Sequence, residues 1–161
     1  RAALHRAERR GTTLRTIGLE RHPAAAQLAR NAGLDVVLGC AGALPFAAGS
    51  VDVVLISQVL HHFDATSAAA LLAAADRIAR RGVVIAALHR SRVARGLFGV
   101  GARLLRFDRD TLTDGLTSIR RGYTVDELRA LCAGIGAGAT VTTRPGFRVV
   151  AWWRIERSSG R

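Results

Sequence analysis

Two short apolar runs in the first half of the chain predict the centre of a β-sheet. They are Val36–Leu38, followed by a loop of small residues, and Val51–Ile56, which stops at Ser57. Both runs are rich in β-branched residues and bounded by glycine, proline or serine, which is typical of parallel strands covered on both faces. Because ligands sit beyond the carboxyl ends of such strands, we expect chemistry at Gly39–Ala41 and Ser57–His62.

The residues before these runs predict a helix end, a strand and a second helix. Arg1–Arg10 has helical spacing of its apolar residues and reads as the end of a helix. Leu14–Leu19 is predicted as a strand that ends in Glu20. Pro23 suits the first turn of a helix that continues through Arg30.

A helix with a buried stripe is predicted after the central runs, capped by Asp64, Thr66 or Ser67. Its apolar positions have the spacing of a buried face: Ala68, Leu71, Leu72, Ala75 and Ile78. Arg80, Arg81 and Gly82 are expected to close this helix, and Gly82–Leu88 is expected to form another buried strand. Strand, helix and strand in that order indicate a right-handed crossover and a parallel sheet.

The segment His89–Gly122 is less regular, although one helical face is visible in it. The face comprises Val93, Leu97, Val100 and Leu104, with arginines around it. We expect this segment to cover the carboxyl edge of the sheet as a substrate-side lid. The apolar residues Leu97, Phe98, Leu104, Leu105 and Phe107 favour a lipophilic substrate.

Regular signals return toward the C-terminal end. Thr124 and Glu127 form a capping box that predicts a helix. Ala139–Thr143 and Phe147–Arg154 are separated by Arg-Pro-Gly and predict a β-hairpin. The glycines of Gly134–Gly138 imitate a dinucleotide fingerprint, but they follow a helix and precede a strand, so we discount them.

Size and composition favour one domain with a real core. The chain has 161 residues, of which 49% are hydrophobic, too many for a disordered protein. No apolar run is long enough to span a bilayer and no secretory signal is visible, so a cytoplasmic protein with no membrane partner is expected. Cys40 and Cys132 lack metal-ligand spacing, which agrees with a reducing compartment.

The formal net charge of +12 raises the question of nucleic acid. All 24 basic residues are arginine, which resembles a biased coding composition more than a selected binding face. No arginine occurs between Asn31 and Asp76, and most of the others are scattered. We therefore favour a solvated surface over a nucleic-acid groove or a patch for anionic substrates.

The order of a short strand, GCAGALPF and then GSVDVVLISQVLHHF resembles the small-molecule branch of the class I S-adenosylmethionine-dependent methyltransferases. The resemblance extends from about Leu14 to Trp153. It implies an α/β fold, a Rossmann-like three-layer sandwich whose mostly parallel sheet ends in an antiparallel hairpin. The family's first strand and glycine-rich turn would lie upstream of Arg1, so we expect an N-terminally truncated chain that need not be active alone. The alternative is a degenerate relative that no longer binds the cofactor.

The resemblance also implies a cofactor site for S-adenosylmethionine. A carboxylate at the end of a strand can accept hydrogen bonds from a ribose diol, and in the family an acidic residue at the Glu20 position does so. The position of Cys40 is commonly an aspartate that contacts the adenine, and cysteine is a weaker acceptor. The candidate cofactor residues, expected to border one adenosine-bearing molecule, are Glu20, Arg21, Cys40, Ala41, Ser57 and Gln58.

The histidine pair is the catalytic candidate. His61 or His62 could remove a proton from a substrate hydroxyl, since imidazole titrates near neutrality. Each could equally be a helix-start residue bonded locally. A zinc site formed by Cys40 and this pair is disfavoured, because no further ligand stands at a characteristic spacing.

The sequence predicts methyl transfer from S-adenosylmethionine to a small-molecule acceptor, at an oxygen of a lipophilic metabolite. Two alternatives stay open. One is a nucleotide-linked oxidoreductase on a similar sheet, and the other is a non-catalytic basic module that binds nucleic acid.

Overall fold

The computed structural model describes Ala7, residues 9–136 and residues 138–156. The chain divides into two compact units, Arg1–Pro45 and Phe46–Arg161. Most of the predicted helix end over Arg1–Arg10 lies outside the described residues. The single-domain organisation with a lid over residues 89–122 stays a prediction.

The first unit is a β-α-β element. Strand β1 (Ile17–Glu20), helix α1 (Pro23–Asn31) and strand β2 (Asp35–Leu38) follow one another, and the two strands pair in parallel. Pro23 occupies the first turn of α1 as predicted. The strand starts at Ile17 and not at the predicted Leu14, which is exposed and unpaired with β2.

The described part of the second unit contains four strands in the order β3-β4-β6-β5 and four α-helices. The strands are β3 (Val51–Ser57), β4 (Ala79–Leu88), β5 (Thr140–Arg144) and β6 (Arg148–Arg154), and the helices are α2 (Ala65–Ile78), α3 (Arg92–Leu104), α4 (Arg109–Arg120) and α5 (Val125–Ala133). Strands β3 and β4 pair in parallel, whereas β6 pairs antiparallel with both β4 and β5. The α/β class and the C-terminal hairpin are confirmed.

Helix α2 has the predicted cap and the predicted buried face. The Asp64 carboxylate accepts a hydrogen bond from the Ser67 backbone N–H at 2.8 Å, which satisfies one of the free donors of the first turn. All five stripe residues are buried, and they form much of the core beneath β3 and β4: Ala68, Leu71, Leu72, Ala75 and Ile78.

The predicted end of α2 is wrong by a few residues. The helix stops at Ile78, and Arg80 and Arg81 already belong to β4. Both guanidinium groups lie against Asp52 on the neighbouring strand, with Arg80 Nη2 at 2.6 Å from its Oδ1. Gly82 is a point of close strand approach and not a helix end, because a Cβ there would stand 2.6 Å from the Trp153 carbonyl oxygen.

The expectation that the central strands are covered on both faces is also wrong within these units. Val53 is half exposed and the Leu55 side chain is 65% exposed, whereas Ile56 is buried. Strand β3 is the edge of its sheet and packs against α2 on one face. An edge strand with one covered face buries only alternate side chains.

The segment predicted as irregular holds two helices, α3 and α4. Ser91 caps α3 through its hydroxyl, and Asp108 caps α4 by accepting from the Thr111 N–H at 2.8 Å. The two helices contact each other closely at Gly115, where a Cβ would stand 2.2 Å from the Phe98 ring. The sequence therefore predicted α3 but missed α4.

The C-terminal elements agree with the sequence. The reciprocal hydrogen bonds of the capping box join Thr124 and Glu127, and Leu128 and Cys132 on the same helix are buried. Gly136 lies between this helix and β5, where a Cβ would overlap the Trp153 ring at 2.5 Å. This position supports the interpretation that the glycine run separates a helix from a strand and is not a dinucleotide fingerprint.

Among the residues that the structure describes, no helix has the length and apolarity needed to cross a membrane.

Candidate active site

Glu20 ends β1, and its carboxylate is held in place by the turn that follows. Oε1 accepts hydrogen bonds from the backbone N–H groups of Arg21 at 2.7 Å and His22 at 2.8 Å. These bonds, from His22 first and then Arg21, hold the pKa of the Glu20 carboxyl below its usual value. The side chain is therefore an ionised acceptor at neutral pH, and Oε2 can accept from a further donor.

Cys40 lies in a tight turn directly after β2. Its carbonyl oxygen accepts from the Ala43 N–H at 3.0 Å, and its thiol sulfur accepts from the Gly42 N–H at 3.4 Å. The thiol is exposed. Gly39 permits this turn, because a Cβ there would stand 2.9 Å from the Leu19 side chain and 3.1 Å from the Pro45 ring.

The first unit brings two of the predicted positions together. Strands β1 and β2 pair in register, with Glu20 opposite Leu38, and the Gly39 N–H donates to the Glu20 carbonyl oxygen at 2.9 Å. Glu20 and the turn that begins at Cys40 thus follow the carboxyl ends of adjacent parallel strands. That Ser57 borders the same ligand stays a prediction.

Ser57 ends β3, and the next residue has an unusual backbone. Gln58 has a φ of 58°, a left-handed conformation that costs a residue with a side chain about 1–3 kcal/mol. Its N–H donates to the Ala86 carbonyl oxygen at 2.8 Å, and its side-chain oxygen accepts from Arg148 Nε at 2.8 Å. Such strain, held by its neighbours, is found more often at functional sites than elsewhere.

The histidine pair forms a short 3-10 turn, Leu60–His62, after this strained residue. The His61 side chain is 8% exposed, and its Nδ1 has no hydrogen-bond partner among the described residues. Its ring centroid lies 4.1 Å from that of the exposed His62. Burial, with smaller effects of His62 and Arg121, lowers the pKa of His61, so its imidazole is neutral at physiological pH.

Sequence reasoning missed two residues at this edge of the second unit. Arg148 begins β6 opposite Leu88, the last residue of β4, and contacts Gln58. Tyr123 bridges His89 just after β4, and its hydroxyl donates to the Leu60 carbonyl oxygen at 3.4 Å. Both positions depend on strand order and long-range pairing, which no local pattern specifies, although a tyrosine directly before a capping box was visible.

Metal ligation has no counterpart in the described part of the chain, where no group of three His, Cys, Asp or Glu side chains is placed to hold an ion. An open cleft lined by Thr140, Trp152 and Glu156 lies elsewhere, at the end of β6 that pairs with the start of β4. It is at the opposite end of the sheet from Ser57, and it contains no candidate residue.

Comparison with solved structures identifies the fold. A methyltransferase of Thermotoga maritima, described as a possible histamine N-methyltransferase, matches 91% of this chain and 74% of its own with a TM-score of 0.61 and 18% identity. The magnesium protoporphyrin IX methyltransferase of Synechocystis matches 91% and 66%, with a TM-score of 0.59 and 14% identity. The 16S rRNA N2 G1207 methyltransferase of T. thermophilus matches 98% and 33%, with a TM-score of 0.55 and 19% identity.

These likenesses define the class: the chain has the Rossmann-like fold of S-adenosylmethionine-dependent methyltransferases. The family described as "Methyltransferase domain" matches residues 2–87, more than half of the chain, and the chain belongs to this family. It is a methyltransferase whose cofactor is S-adenosylmethionine. A search of curated proteins finds no match.

The residues present fit this cofactor. An ionised, backbone-anchored carboxylate after β1 suits a ribose diol, and the turn at Cys40 offers backbone groups beside it. The expectation that nucleic acid is not the acceptor finds no support, since one structural neighbour is an rRNA methyltransferase.

Proposed function

We propose that this methyltransferase acts on a hydroxyl oxygen of a lipophilic small molecule. When bound, S-adenosylmethionine supplies an electrophilic methyl group on a sulfonium. The protein then has to bind the two molecules in line and accept the hydroxyl proton, because positioning supplies much of the rate of such a transfer.

Glu20 is proposed to hold the cofactor's ribose, with Arg21 beside it. The support is the anchored Oε1, which leaves the carboxylate oriented and ionised. Cys40 and Ala41 are proposed to border the adenine, with the backbone as the main contact because the Cys40 sulfur already accepts from Gly42. Ser57 and Gln58 are proposed to border the methionine part.

The observation that carries the oxygen-acceptor proposal is the orphaned Nδ1 of His61. A buried imidazole nitrogen without a partner is costly, and a substrate hydroxyl would satisfy it. The lowered pKa keeps the imidazole neutral at neutral pH, so one ring nitrogen is unprotonated, and Nδ1 is the base when the proton resides on Nε2. His62, exposed and in ring contact with His61, is the alternative base or the group that passes the proton to solvent.

Two measurements on the full chain separate the cofactor claim from the acceptor claim. Calorimetric titration with S-adenosylhomocysteine should show binding that Glu20→Ala weakens roughly tenfold, as expected for a lost charge-assisted hydrogen bond. Asp114→Asn, which removes an exposed carboxylate on α4, should leave the affinity unchanged. Equal affinity of Glu20→Ala and the parent chain would mean that the ribose assignment is wrong.

The acceptor claim is tested by methyl transfer to a panel of phenols and aliphatic alcohols. His61→Asn should lower kcat by about 100-fold or more with KM for the cofactor unchanged, and it should remove the acid limb of the pH profile. Cofactor binding without transfer to any hydroxyl of the panel would leave the family intact and refute the oxygen acceptor.

RNA is a second candidate acceptor, favoured by the net charge of +12. It would require arginines on one continuous face and an affinity that falls steeply with salt.

A further inference from the structure

Helix α3 carries an apolar stripe that no other described element covers. Val93, Leu97, Val100 and Leu104 are all exposed, with Leu97 at 59%. Their spacings of four, three and four residues place them on one face of the helix, about 16 Å long. We call these four residues the α3 stripe.

The opposite side of the helix is fixed, which determines where the stripe points. Ala94 and Ala102 are buried, and Phe98 packs edge-on against Phe107 with ring centroids 6.5 Å apart. Phe98 also fills the space left by Gly115 on α4. Because the helix is held by these contacts, it cannot turn the stripe inward without losing them.

The charge on α3 itself has one sign. Arg92, Arg95, Arg103 and Arg106 are exposed, and no acidic residue occurs anywhere from His89 to Phe107. An interface with another copy of this strongly basic chain would bring like charges together. The nearest acidic residues in the sequence, Asp108, Asp110 and Asp114, belong to α4 and its cap, and α4 packs against the Phe98 side of α3 and not against the stripe. An aliphatic stripe on a helix whose charged residues are all arginine matches instead an anionic lipid surface, where the headgroups pair with guanidinium groups and the aliphatic chains enter the acyl boundary.

We propose that α3 binds the surface of an anionic membrane, with the α3 stripe facing the acyl chains. The proposal goes beyond methyl transfer and does not depend on it. The sequence-based expectation of no membrane partner rested on the absence of a spanning segment, and a helix that lies in the interface requires none.

Cosedimentation with vesicles of phosphatidylcholine, with and without phosphatidylglycerol, tests the proposal on the full chain. The parent chain should sediment with the anionic vesicles and should stay in the supernatant when the vesicles are neutral. The double variant Leu97→Gln/Val100→Gln should lower the partition coefficient by about tenfold or more, since both side chains are expected to leave water in the interface. Leu28→Gln, a matched change at a 71% exposed leucine on α1, should have no effect.

Charge is tested separately. Arg92→Gln/Arg103→Gln, at the two arginines that flank the stripe, should weaken binding to anionic vesicles by about tenfold, and Arg120→Gln/Arg144→Gln should change it far less. Failure of the parent chain to bind anionic vesicles, or equal losses in the stripe variant and Leu28→Gln, would overturn the proposal. The proposal would also be overturned if light scattering showed that the parent chain is a dimer and the stripe variant a monomer, because the stripe would then be covered by a second copy.

Discussion

The two cysteines occupy opposite environments, and each reports on a different part of the chain. Cys40 is exposed in the turn after β2, beside the proposed adenine site. Cys132 lies on the buried face of α5, and burial raises the pKa of its thiol to about 11. Since the thiolate is the reactive species, only Cys40 should react in the folded protein.

S-adenosylhomocysteine should slow the modification of Cys40 by a thiol reagent at least about fivefold, because a bound adenine would cover the turn. The reaction is followed by absorbance, and Cys132→Ser provides a chain in which Cys40 is the sole thiol. Cys132 in the parent chain should react only after unfolding. If saturating ligand leaves the rate at Cys40 unchanged, the adenine does not lie at this turn.

The buried imidazole of His61 should make the folded state sensitive to mild acid. Its pKa is lowered by burial, so the unfolded chain binds a proton first as the pH falls below about 6.5. The contribution of the neutral His61 side chain to the free energy of unfolding is thus complete above that pH. Below it, this contribution declines by up to about 1.4 kcal/mol per pH unit. Denaturant titrations between neutral pH and mild acid measure it.

The matched variants for this experiment are His61→Asn and His62→Asn. The first should flatten the decline, and the second should retain most of it because His62 is exposed. If His61→Asn loses as much stability in mild acid as the parent chain does, the acid sensitivity originates in other groups.

At the scale of elements, the pairing of β4 with β6 depends on a glycine. Gly82 lies opposite Arg154, and a Cβ there would meet the Trp153 carbonyl oxygen at 2.6 Å and the Arg154 Cα at 3.7 Å. Backbone cannot yield as a flexible side chain can. The glycine that the sequence assigned to a helix end therefore sets the spacing of the sheet.

Gly82→Ala should lower the free energy of unfolding by about 2 kcal/mol, as overpacking against backbone does. Gly134→Ala is the matched control, since Gly134 has a negative φ and open space around its Cα, and the change there should stay within about 0.5 kcal/mol. Urea unfolding of both variants measures the difference. Similar losses at the two positions would refute the close approach.

The elements that the sequence predicted are those with local signals. The capping box at Thr124, the Asp64 cap and the α2 stripe are encoded within a few residues, and all were confirmed. The exposure of Leu55 and the strand position of Arg80 and Arg81 depend on which strand lies beside which. Side-chain periodicity holds no information on such neighbours, so these features could not be predicted.

The same distinction applies to the candidate site. Glu20 was predictable because a strand end followed by proline is a local pattern, and the structure adds the two backbone hydrogen bonds that orient it. Arg148 reaches Gln58 from a strand that lies 90 residues later in the sequence. Only the antiparallel pairing of β6 with β4 brings them together.

At the scale of the whole molecule, positive charge is abundant but unevenly distributed. The net charge is +12, yet no arginine lies between Arg30 and Arg77, a range that includes β2, β3 and the histidine pair. The range itself contains no arginine, but Arg21 precedes it, and Arg148 and Arg121 reach Gln58 and His61 from later elements. A polyanion is expected to bind mainly at the arginine-rich segments outside this range, where most of the positive charge lies.

Single-stranded RNA should bind the chain weakly, with an affinity that falls on the order of 100-fold from low to moderate salt, because released counterions dominate such binding. At moderate salt, saturating RNA should change the affinity for S-adenosylhomocysteine by less than about twofold, since no coupling between the two ligands is expected. Gel shifts and calorimetry measure the two quantities, and Arg120→Gln/Arg144→Gln should lower the salt dependence. An RNA affinity that resists salt and tightens cofactor binding would instead identify RNA as the acceptor, because an acceptor and a cofactor that share one site are expected to influence each other's binding.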